Sequence, residues 1–177
     1  TGDVRSEDRA AQFGHRAAIV LFTGSAQTGK TFLARRVEAL LVADSRHAYL
    51  LEGENLLQGL DADLSAADPS FASERVRRYG EVARLLIDTG LIVVSTSKTF
   101  GINYQRMAEM IRTLVQPAPV IAVHMSRAGE EPPPNTDLHF AGPQDFDAAA
   151  RQILEELKKR GVLIEPSGTK STIQYSI

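Results

Sequence analysis

The chain has 177 residues, 43% of them hydrophobic and 24% charged, with a formal net charge of -2, which describes one globular domain large enough to close a core and excludes a disordered tract. There is no basic excess for neutralising nucleic-acid phosphates, the longest apolar runs are strand-sized and too short for a membrane span, and nothing resembles a signal peptide. The lack of cysteine removes disulfides and thiolate metal sites and fits a reducing cytoplasm, while a start at Thr1-Gly2 without methionine reads as a piece of a longer polypeptide.

Residues 1–16 form a lead-in. Its short charged helix spans 3–13, with Ser6 as N-cap and Glu7 and Asp8 in the first turn. Residues 17–23, Ala-Ala-Ile-Val-Leu-Phe-Thr, read as a buried parallel strand. Next come Gly24, Ser25, Ala26, Gln27, Thr28, Gly29, Lys30 and Thr31, which fit the phosphate-loop pattern of a glycine, four residues, then Gly-Lys-Ser/Thr. From Phe32 to residue 42, Leu33, Val37, Leu40 and Leu41 recur at helical spacing, so the motif sits between a strand and a helix as it must. Gly24 and Gly29 permit a tight turn whose amide hydrogens point at an anion, and the helix start adds a positive dipole end. In that arrangement Lys30 reaches the β- and γ-phosphates of ATP, and the Thr31 hydroxyl binds Mg²⁺.

A second strand at 47–51 runs into Glu52-Gly53-Glu54-Asn55, and a long polar connection follows to about residue 71. A helix over 73–89 turns Val76, Tyr79, Ala83, Leu86 and Ile87 inward and ends at Gly90. The third strand is 91–96, and a helix over 104–115 buries Met107, Met110, Ile111 and Leu114. Pro117 and Pro119 bracket the turn into a fourth strand at 120–125, and a proline- and glycine-rich loop leads to a short fifth strand at 137–140. The last helix starts at Pro143 and buries Phe146, Ala150, Ile153, Leu154 and Leu157. Residues 161–165 could add a strand, and 166–177 read as a loose tail. His15, His47, His124 and His139 have no metal-ligand spacing and read as structural.

Strands alternating with helices give a single α/β domain of the P-loop type: a five-stranded parallel sheet with helices on both faces. Ligands of such sheets lie beyond the carboxyl ends of the strands. The phosphate loop, Glu52 with Glu54, and the segment 95–100 should therefore be neighbours.

From Thr23 to Phe140 the chain resembles adenylylsulfate kinase, which phosphorylates adenosine 5′-phosphosulfate on its 3′-hydroxyl. The resemblance rests on Leu51-Glu52-Gly53-Glu54-Asn55, where the family has Leu-Asp-Gly-Asp-Asn, and on Gly59-Leu60. It rests equally on Arg77-Arg78-Tyr79-Gly80-Glu81-Val82-Ala83, on residues 90–94, and on Arg127-Ala128-Gly129-Glu130. It implies a kinase of sulfate activation that uses Mg-ATP and forms a homodimer. The segment from Arg5 to Arg9 is similar to the lead-in found where this kinase is fused behind a sulfate-activating GTPase-like subunit. Glu54 matches the family aspartate that takes the hydroxyl proton or helps hold Mg²⁺; as a bland alternative it is a solvated loop carboxylate. Glu52, at a strand end, is a second candidate for metal or water positioning.

The departures from the family cluster on the acceptor side. Its sulfonucleotide-binding arginine is Leu57 here, its stacking aromatic falls near Ala66, and its lysine-rich lid is reduced to 126–131. Asn55, Arg75, Arg78, Thr99 and Arg106 remain as candidate contacts for the sulfonucleotide or another small anionic acceptor, with Lys98 beside them. Thr99 reads first as a cap for the helix that follows, and Lys98 and Arg106 as solvated surface charges. The residues thus leave three readings: an adenylylsulfate kinase-like enzyme, a kinase for another small hydroxylated acceptor, or a non-catalytic nucleotide-binding module.

Overall fold

The apolar run after Arg16 becomes the central strand β1 (Ala18–Gly24), buried along its whole length because both faces and both edges are covered. The structure is a computed structural model that describes residues 3–96 and 103–164. Among these, β2 (Ala48–Glu52), β3 (Ile92–Thr96), β4 (Val120–Ser126) and β5 (Leu138–Ala141) complete one sheet in the order β2-β3-β1-β4-β5. Every pairing is parallel, with Phe22 opposite Thr96, Glu52 opposite Thr96 and Gly24 opposite Met125.

Alternation along β1 sorts its residues between two cores. Ala18, Val20 and Phe22 face α2 (Lys30–Ala43) and α5 (Phe146–Lys159), packing on Leu33, Val37, Leu41, Ile153 and Leu157. Ile19 and Leu21 face the opposite way, against Val76, Tyr79 and Ala83 of α3 (Phe71–Asp88) and Met107 and Ile111 of α4 (Tyr104–Val115). Because strands one residue apart in register would exchange these two sets, the pattern pins the pairing. The Tyr79 hydroxyl fastens α3 to the sheet, donating to the Leu51 carbonyl at 2.7 Å with the Ser95 hydroxyl at 2.6 Å.

The lead-in helix α1 (Ser6–Phe13) starts later than the expected residue 3, at Ser6 itself, and its N-cap is the preceding Arg5 instead of Ser6, with the Asp8 carboxylate accepting from the Arg5 amide at 2.9 Å. The last helix starts at Phe146, not at Pro143. Asp145 caps it by accepting from the amides of Asp147 and Ala148, and a carboxylate there satisfies two otherwise orphaned donors. Residues 161–164 contribute a single antiparallel bridge, His15 with Leu163, in place of a further strand. The expected tail at 166–177 lies outside the described residues.

Candidate active site

The chain leaves β1 at Gly24 with φ of 128°, and a Cβ built there would stand 1.8 Å from the Met125 carbonyl oxygen. Only glycine fits so close to a neighbouring strand. The Ser25 amide then donates to that same oxygen at 3.1 Å, and the Thr28 hydroxyl donates to the Ser25 carbonyl at 2.9 Å, closing the loop on itself. Gln27 takes a left-handed φ of 62°, and Gly29, at 88°, is the N-cap of α2. No side chain caps that helix and its first turn holds no acidic residue, so its leading amides are left for an anion. Ala26, Gln27 and Thr31 are exposed, which keeps the mouth of the loop open.

Lys30 folds back over this loop. Its ammonium donates to the Gly24 carbonyl at 2.8 Å and to the Ser25 carbonyl. Burial lowers its pKa, and the negative charge of Glu54 opposes that shift. Glu54 lies in the single 3-10 turn Gly53–Leu56 that continues β2, whereas Glu52 ends the strand and is held by Arg35 at 3.5 Å. The carboxyl ends of β1, β2 and β3 therefore bring the phosphate loop and both glutamates to one edge of the sheet, as the topology requires.

The acceptor-side candidates are placed differently. Arg75 is nearly buried, paired with Asp61 at 3.3 Å and lying over the Phe71 ring at 5.4 Å, while the second Asp61 oxygen is buried without a hydrogen-bond partner. Arg78 donates to Glu74 at 2.8 Å, to Asp63 at 2.9 Å and to the Leu60 carbonyl. Flanked by Arg77 and Arg78, Glu74 has its pKa pulled down to about 2. So the basic cluster at the start of α3 turns toward carboxylates of its own chain. Asn55 and Arg106 are exposed, the Arg106 amide being held by the Asn103 side chain at 2.8 Å. Thr99 and Lys98 lie outside the described residues.

Three contributors were not legible in the sequence. The Tyr104 hydroxyl, from the start of α4, donates to the Gly24 carbonyl at 2.7 Å. Glu130 accepts from the Ser25 hydroxyl at 2.8 Å, and this hydrogen bond lowers its pKa. Beneath the loop, Thr23 and His124 share a buried hydrogen bond of 2.8 Å. A histidine inside an otherwise apolar strand was the only hint of that last pair.

A sequence profile described as adenylylsulphate kinase matches residues 16–132. The chain belongs to the adenylylsulfate kinase family. Among curated relatives, the adenylyl-sulfate kinase of Shewanella amazonensis is 40% identical over 123 residues, 70% of this chain and 60% of that protein. The one from Yersinia pestis is 29% identical over 189 residues, covering 90% of this chain and 87% of the relative. A solved structure of a point variant of the Mycobacterium tuberculosis APS kinase superposes with a TM-score of 0.70 at 29% identity, over 81% of this chain and 99% of that one. Adenylylsulfate kinases are ATP-dependent phosphotransferases, and their nucleotide-kinase fold is the five-stranded parallel sheet described above.

Proposed function

We propose that the chain binds Mg-ATP in the loop 24–31 and transfers the γ-phosphoryl group to a hydroxyl of a small anionic acceptor, adenosine phosphosulfate being the first to test. The observation that carries this reading is the placement of the Lys30 ammonium on the Gly24 and Ser25 carbonyls, electrostatically coupled to Glu54 at the same sheet edge. Lys30 and the loop amides hold the polyphosphate and stabilise the charge that builds on its oxygens. As the acceptor oxygen bonds to phosphorus, the bond from the γ-phosphorus to the bridging oxygen breaks. The acceptor's proton passes to Glu54, and ADP leaves. Glu52, pinned by Arg35, orders water beside it.

Among the described residues there is no group of three carboxylates or histidines that could cage a metal. Two hard oxygens, from Thr31 and Glu54, suit Mg²⁺, which keeps several waters and binds mainly through substrate phosphates. When bound, Mg²⁺ neutralises charge on the β- and γ-oxygens.

A second reading, a nucleotide-binding module without transfer, is favoured by one observation: Arg75 and Arg78 are engaged by Asp61, Asp63 and Glu74 instead of facing an open anion site. Calorimetry with Mg-ATP, followed by ADP release with and without adenosine phosphosulfate, separates the two. Sulfonucleotide-dependent turnover that vanishes in Lys30→Ala supports the kinase; tight ATP binding without turnover supports the module. A homodimer, or a place within a longer sulfate-activating chain of the cytoplasm, goes with either reading, and sedimentation of the purified chain tests the first.

A further inference from the structure

Phe32 is the third helical residue of α2, directly after Thr31, and 63% of it is exposed. Its neighbours Leu33 and Ala34 are fully buried. The ring is not loose. It lies 4.9 Å from the ring of Phe146, at the start of α5, with the two planes tilted by 55°. Phe146 in turn presses on the phosphate loop: a Cβ added to Gly29 would come within 2.6 Å of its ring. An ion pair one turn further along α2, Arg36 to Asp147 at 2.6 Å, fixes the two helices beside this pair.

The sheet order gives the pair its direction. Glu54 follows β2, on one side of β1, and Phe146 follows β5, on the other. A polyphosphate whose terminal group faces Glu54 and Lys30 must therefore run along the loop toward the α2–α5 side. Its innermost phosphate comes to the first helical amides, and whatever is attached to that phosphate emerges over Phe32. In a nucleotide the attached group is a ribose carrying a flat base. A large apolar ring, held by a second ring and left open to solvent at that point, is suited to a π-face and to little else that a phosphate carries.

We propose that Phe32, backed by Phe146, is the stacking platform for the purine base of the bound nucleotide. The proposal rests on residues 24–31 being the phosphate site. It assigns the discrimination between a nucleotide and a bare polyphosphate to Phe32.

The test uses the whole chain and two ligands, Mg-ATP and Mg-tripolyphosphate, titrated by calorimetry. Phe32→Ala, a change at an exposed position, should weaken ATP binding by about 10- to 100-fold, the range of one base–aromatic stack, and leave tripolyphosphate affinity unchanged. Phe32→Leu keeps apolar bulk without a π-face and should lose most of the same factor. The chain has no tryptophan, so Phe32→Trp supplies a lone emitter that ATP should quench and tripolyphosphate should not. Equal losses for both ligands in Phe32→Ala, or undiminished ATP binding in Phe32→Ala and Phe32→Leu, would overturn the platform while leaving the phosphate site standing. A wild-type chain that binds neither ligand would overturn the phosphate-site reading and the platform with it.

Discussion

At Gly24 the need for glycine is more specific than the loop motif conveys. The motif asks for a flexible turn, but the backbone here is hemmed in by the Met125 carbonyl of the adjacent strand at a φ that side-chain-bearing residues avoid. Gly24→Ala should therefore cost about 2–5 kcal/mol of folding stability in addition to any loss of binding, seen as a lower urea midpoint. The local part of the site could be read from eight consecutive residues because phosphate-loop chemistry is written in backbone conformation and one lysine. Tyr104 could not. Its hydroxyl meets the Gly24 carbonyl across 80 positions of sequence, and nothing nearby in the chain distinguishes it from an ordinary first residue of an amphipathic helix.

Helices and strands were legible where burial is periodic. The helix Tyr104–Val115 coincides with its expected span because its inward positions recur cleanly and Asn103 caps it. The start of α5 was misplaced because proline at a first helical position competes with a nearby carboxylate cap, and the cap, which satisfies two amides, wins. Asp145→Ala should cost about 1 kcal/mol, measurable by thermal or urea unfolding. A larger loss is expected where α3 meets the sheet. Tyr79 is fully buried, and its hydroxyl is shared by the Leu51 carbonyl and Ser95. Tyr79→Phe strands both partners away from water and should cost about 1–3 kcal/mol, with amide exchange accelerating across β2 and β3. The acceptor side was the least legible region. A row of arginines at the start of a helix looks the same in sequence whether it awaits an anion or is neutralised by Asp61, Asp63 and Glu74 folding over it.

For the molecule as a whole, the response to acid comes in two windows. His15 accepts from the His47 amide and is buried under Phe13, and His124 is buried against Thr23; desolvation lowers both pKa values from 6.5. In each case the unfolded chain binds more protons than the native one below that value, so stability is complete above it and declines as pH falls through it. Urea midpoints should thus drop between neutral pH and about pH 5, and His15→Gln should flatten part of that slope. Asp63, Asp68, Glu74 and Glu130 act in the same sense in a more acidic window. Their pKa values are lowered by hydrogen bonds, so their contribution persists until the pH falls below their ordinary values of 3.8 and 4.5.

The Gly24 carbonyl carries two donors from unrelated parts of the chain, the Lys30 ammonium and the Tyr104 phenol, and on the proposed function only the first is drawn to a ligand. An incoming nucleotide that takes the lysine still leaves this oxygen satisfied. The empty and filled loops should then share one backbone shape, with the ligand repositioning a single side chain instead of moulding its own cradle. Association would be fast and would order little of the surrounding polypeptide.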